Sequence, residues 1–227
     1  MRNLDDALAL IRSKGRPDQV EGMARFGISP DRRLGLSVPD MRSIAKTLGR
    51  DHRLAQALWS TRIPDARIVA AMIDDPAKVT ELQMDRWVAG FDSWDVCDQV
   101  CMNLFDKSPL AWKKVTEWSS RAAEFEKRAA FALIACLAWH DKSSPDERFL
   151  GMLQLVVAAS TDERNYVKKA VSWALRHIGK RNARLHKAAV KAAREIATLD
   201  SRSARWIAAG AIRELTSDAV RARLAAR

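Results

Sequence analysis

An all-α chain assembled from short helices in tandem is what this sequence predicts, and three features of its 227 residues carry that expectation. Apolar residues recur at helical spacing in segment after segment, and no period-2 run bounded by turn residues marks a strand. The joints are short and polar (GRDH, DDPAK, DKSSP), with no long linker or low-complexity tract to divide the chain. Four segments, DARIVAAMI, EKRAAFALI, VKKAVSWALR and SARWIAAGAIREL, share a basic residue followed by small and branched apolar residues over two turns.

Aligning Arg67, Arg128, Lys169 and Arg205 spaces these segments by 61, 41 and 36 residues. Helix-pair repeats of the HEAT type recur at about 40 to 47 residues, and the first interval leaves room for one more unit around DSWDVCDQVCMNLF. The expectation is one HEAT-like repeat domain over residues 1–227, a curved array of antiparallel helix pairs with its core between stacked pairs. A composition 48% hydrophobic suffices for such a core. A plain helical bundle would share the same periodicity.

Taken in order, the first segment, MRNLDDALALIRSKG, sets acidic residues beside its apolar run, a poor match to a secretory leader. No stretch approaches the ~20 uninterrupted apolar residues of a membrane span. Pro64 opens the helix of DARIVAAMIDD, Trp94 opens that of FDSWDVCDQVC, and Pro109 and Pro145 precede LAWKKVTEWSS and DERFLGMLQLVVAAS. Ser108 and Ser144 stand before those two prolines and are the expected N-caps. The three cysteines are an odd number, and Cys97 and Cys101 lie four apart on an apolar helix. They read as reduced core thiols of a cytoplasmic protein. No histidine lies at a metal-ligand spacing, so no metal is expected.

Charge is distributed very unevenly. Residues 1–110 hold 16 basic and 16 acidic side chains; residues 111–227 hold 23 and 12, and so carry the whole net charge of +11. Between Arg164 and Arg194 stand ten lysines and arginines, among them Lys168, Lys169, Arg176, Lys180 and Arg181, and no acid. Val167, Val171, Trp173, Leu175 and Ile178 give that block a helical rhythm, so it is a folded surface and not a loose tail. A face of one sign calls for a polyanion, with a phosphate backbone the leading candidate; a basic helical surface that meets no nucleic acid is the alternative.

Eight tryptophans against one tyrosine is an unusual aromatic choice. Trp59, Trp112, Trp118 and Trp139 sit among apolar neighbours and are expected in the core or at its edge. Trp94 and Asp98 lie four apart and share one helical face, with Asp95 about 100° round the helix. Trp173 stands inside the cationic stripe of Lys169, Arg176 and Lys180. Indole faces attract cations, and a carboxylate beside them can stabilise the positive sugar left as a glycosidic bond breaks. A purine alkylated at N3 or N7 is already cationic and needs no acid to leave. Plainer roles are open for each residue: a salt bridge between Asp98 and Arg128, a core knob for Trp173, helix-start packing for Trp94.

FDSWDVCDQVC, FEKRAAFALIA and DERNYVKKAVSWALRHIGKRN together resemble the AlkD-like DNA alkylation repair proteins, which are HEAT-repeat DNA glycosylases. MARFGISPDRRLGLSVPDMRSIAK resembles that family's N-terminal region, so the likeness spans nearly the whole chain. The resemblance implies that Trp94 and Trp173 contact the deoxyribose bearing the lesion, that Asp98 is the catalytic carboxylate, and that Arg128 sits with them at the DNA backbone. Arg176 would match a phosphate contact. Ser37 and Phe26 depart from the pattern, where a longer polar side chain and a tyrosine are expected. The implied activity is hydrolysis of the N-glycosidic bond of cationic alkylpurines in double-stranded DNA by a monomer, without a metal or organic cofactor. A non-catalytic binder of damaged or branched DNA is the second reading, and a scaffold for an acidic protein the third.

Overall fold

The computed structural model describes residues 3–226, among which lie fourteen α-helices, a single 3-10 turn and no strand. The helices are α1 Leu4–Ser13, α2 Pro17–Ala24, α3 Val38–Leu48, α4 His52–Ser60, α5 Pro64–Ile73, α6 Glu81–Ala89 and α7 Trp94–Asn103. The 3-10 turn Phe105–Lys107 leads to α8 Ala111–Ser119, α9 Glu124–His140, α10 Asp146–Ala159, α11 Asn165–Gly179, α12 Ala183–Ala197, α13 Arg202–Leu215 and α14 Asp218–Ala225. None of these helices is long and apolar enough to cross a membrane.

Short side chains punctuate the chain. Asn3, Ser37, Asp51, Thr80, Asn182, Ser201 and Ser217 each accept a first-turn N–H and start a helix. Pro64 is the first residue of α5 and Trp94 the first of α7, as expected. The two serine caps are different. Ser108 accepts from Leu110 N–H at 3.3 Å inside the turn before α8. Ser144 donates backwards to Asp141 Oδ2 at 2.6 Å, and Pro145 takes the N-cap position of α10. Asp141 gathers the loop donors Ser143 and Ser144, which draws the hydroxyl away from the helix.

The chain divides into two compact units, one running to Ala111 and the other from Trp112 onward. In the first unit α5 is central, packed by α3, α4 and α7. Its Ala, Ile and Val residues are buried on every side, so it reads as an interior helix and not an amphipathic one. Trp59 stacks on Trp87 with ring centroids 4.1 Å apart and planes within 4°, and the Arg67 guanidinium lies 4.6 Å over Trp59.

In the second unit α9, α11 and α13 pack successively, and α10 and α12 pack together as a second layer that also meets α11. This is the layering of stacked helix pairs. On α11, Val167, Ala170, Val171, Ala174, Leu175 and Ile178 are buried at intervals of three and four, which turns the basic side chains outward. Gly179 ends that helix against Leu215, whose Cδ2 would lie 2.7 Å from any added Cβ.

Trp59 and Trp118 are buried and Trp112 is half-buried. Trp139, expected in the core or at its edge, is 50% exposed. Burial along α9 is continuous from Arg128 to Ala138 and stops there, one residue before Trp139. Cys97, Cys101 and Cys136 are buried thiols, as expected of the core.

Candidate nucleic-acid interface

In the first unit the site residues lie on α7. Trp94 is half-buried, and its indole Nε1 donates to the carbonyl oxygen of Phe26 at 3.0 Å. The segment that supplies this carbonyl is tied down close by. The buried Asp65 carboxylate accepts the N–H groups of Leu34 and Leu36 at 2.8 and 3.0 Å. Arg33, its side chain only 1% exposed, forks onto Asp95 at 2.6 and 3.0 Å. Asp95 also accepts from Ser93 Oγ and lies in the first turn of α7, where the helix dipole favours a negative charge.

Asp98 follows one turn after Trp94, half-buried, with its Cβ on the same side of the helix. Of the two carboxylates of WDVCD, Asp95 is clamped to Arg33, and Asp98 lies one turn after Trp94 on the same helical face. Of the two departures from the family pattern, Phe26 is 73% exposed and Ser37 caps α3. No spacing rule points to Arg33 or Asp65, because each finds its partners about thirty or sixty residues away in sequence.

In the second unit Arg128 is 5% exposed, and its Nη1 donates to the Tyr166 carbonyl oxygen at 2.7 Å. That bond ties α9 to the first turn of α11. Lys168 lies 5.7 Å over the Trp206 ring, and Lys169 is exposed. Trp173 is half-buried, with the His177 ring edge-on at 5.7 Å. Arg176 and Lys180 both reach Glu214 on α13, at 2.5 and 2.7 Å. Arg181 donates to the carbonyl oxygens of Ala138, Asp141 and Ser144 and lies 4.3 Å over Phe149, which fixes the loop between α9 and α10.

Thus the acid-free run of sequence borrows an acid from α13. Burial opposes the ionisation of Glu214, but Lys180 and Arg176 outweigh it and hold the carboxyl below its ordinary range. Glu214→Gln should remove the charge that holds both cations. The expected result is tighter duplex binding with a log-affinity against log-salt slope steeper by about one unit. An unchanged slope in a salt titration would mean that Arg176 and Lys180 do not meet phosphate.

Burial, and then Lys180 and Arg176, push the His177 imidazole down to about 4. Its folded value lies below the unfolded ~6.5, so the unfolded chain takes up the proton first. The contribution is fully present above about pH 6.5 and is lost as the pH falls toward about 4. Melting temperatures of wild type and His177→Gln should accordingly converge as the pH is lowered through that window.

A family model for "DNA alkylation repair enzyme" matches residues 7–215. The fold is all-α and HEAT-like, and the chain belongs to the DNA alkylation repair enzyme family. Among solved structures, one described as a new family of proteins related to the HEAT-like repeat DNA glycosylases, with affinity for branched DNA structures, aligns at a TM-score of 0.82 and 20% identity. The alignment covers 98% of this chain and 96% of that one. An engineered protein aligns at 0.43 and 16% identity over 93% and 89% of the two chains. A designed armadillo repeat protein aligns at 0.35 and 16% over 88% and 99%. No curated protein sequence matches the chain significantly.

Proposed function

We propose that this protein is a DNA glycosylase that releases cationic alkylpurines, of the 3-methyladenine and 7-methylguanine type, from duplex DNA. The observation that carries the reading is the pairing, on α7, of an indole held by a backbone carbonyl with a half-buried carboxylate one turn on. Family membership and the basic face of α11 support it.

In the proposed reaction the bond from C1′ to the purine nitrogen breaks and its electron pair passes to the ring, which leaves neutral. Positive charge develops on the sugar, where Asp98 stabilises it electrostatically and Trp94 offers an indole face. A water oxygen then bonds to C1′ and its proton passes to solvent, leaving an abasic site. The cationic base supplies its own leaving-group activation, so no general acid is needed. Lys168, Lys169, Arg176, Lys180 and Arg181 are assigned to the DNA-binding side, with Arg128 behind them holding α9 to α11.

The likeness to a structure with affinity for branched DNA favours a second reading, a DNA binder without excision. The test is single-turnover release of free 7-methylguanine and 3-methyladenine from alkylated duplex. Release by the wild type supports the glycosylase; binding of the same duplex with no free base would leave the binder.

A further inference from the structure

Within the second unit, the exposed end of α9 borders a cleft of about 290 Å³, near the lower end of the ~300–1,000 Å³ range of small-molecule sites. Trp139, Lys142, His177, Lys180, Arg181 and Arg223 line it. The combination is specific: one large aromatic surface with four cationic side chains around it. Half of Trp139 is open, and its indole is steadied by the His140 ring, 4.6 Å away between centroids and 29° from parallel. Arg181 holds the loop carbonyls on either side of Lys142, which sets that lysine at the rim. Glu214 bonds Lys180 and Arg176 and is not among the lining residues, which include no carboxylate.

We infer that this cleft binds one unpaired nucleotide of DNA, its base stacked on Trp139 and its phosphate among Lys142, Lys180 and Arg223. An exposed indole bordered by cations is how single-stranded nucleic acid is held without reading sequence, since every base has a π-face and every nucleotide a phosphate. A paired base, stacked between its neighbours, cannot offer that face. The cleft therefore gives the protein a preference for DNA with an unpaired nucleotide beside the duplex. This inference rests on the DNA-binding part of the proposed function and not on excision.

The experiment compares fluorescence anisotropy on a blunt duplex and on the same duplex with a short single-stranded gap, 2-aminopurine being placed in the gap. Wild type should prefer the gapped duplex by about tenfold, with 2-aminopurine emission quenched by stacking. Trp139→Ala should erase preference and quenching while leaving blunt-duplex affinity within about twofold, and Trp139→Phe should restore part of both. Arg223→Ala should lower the salt slope on the gapped duplex alone, by about one unit. Equal affinity of wild type for the two duplexes, or equal losses on both in Trp139→Ala, would overturn the inference and leave the proposed function standing. A Trp139-dependent gap preference without base release would sink the glycosylase and keep the cleft. Binding to neither duplex would overturn both.

Discussion

Asp98→Asn should abolish most base excision while DNA binding persists. The substitution keeps the size of the side chain and removes its charge, so it acts on whatever the charge stabilises. A preorganised electrostatic group in a glycosidic cleavage is worth on the order of a hundredfold or more in rate. Affinity for an abasic-site analogue should hold or rise slightly, because a negative group near phosphates has gone. Single-turnover release of 7-methylguanine beside a binding titration separates the two quantities. Excision at the wild-type rate would end the catalytic assignment. A large drop in melting temperature with parallel losses of binding and excision would make Asp98 a structural ion-pair member.

Arg33→Ala should be the most damaging single change to the first unit. Its guanidinium is almost wholly enclosed and makes two hydrogen bonds to Asp95, so truncation leaves a largely buried carboxylate facing a cavity. Breaking such a pair from one side costs ~3–5 kcal/mol, whereas replacing both partners with apolar groups of similar size is often neutral or better. In urea denaturation, Arg33→Ala should lower the midpoint strongly, and the double change Arg33→Met with Asp95→Leu should recover much of it. Equal damage from the single and double variants would show that packing, and not the orphaned charge, sets the cost.

Much of the fold was legible because its causes are local. Proline at a first turn, small apolar residues in register and the rhythm of Val167 to Ile178 act within one helix, and the helices formed where those signals stand. The placement of Trp94 and Asp98 on one face follows from helical spacing for the same reason. What escaped the sequence depends on distant partners. Glu214 reaches Arg176 across 38 residues and Asp95 reaches Arg33 across 62, and nothing in either neighbourhood announces the pairing. Trp139 has apolar neighbours in sequence but stands just past the last buried position of α9. Ser144 had a cap position and a proline after it, and a nearby carboxylate won its hydroxyl.

The Phe26 carbonyl under the Trp94 indole sets a limit on how small a working version of this protein can be made. A fragment starting at Trp112 would retain every lysine and arginine of α11 and look, by charge, like the useful half. It would lack α7 altogether. Trimming only as far as Ser37 would keep α7 but remove the carbonyl acceptor of Trp94 and the Arg33 fork, so the indole would be free to rotate. Minimisation or grafting of the repeat should therefore preserve residues 26–36 as an alignment strut, although that stretch contains no residue assigned to chemistry or to DNA.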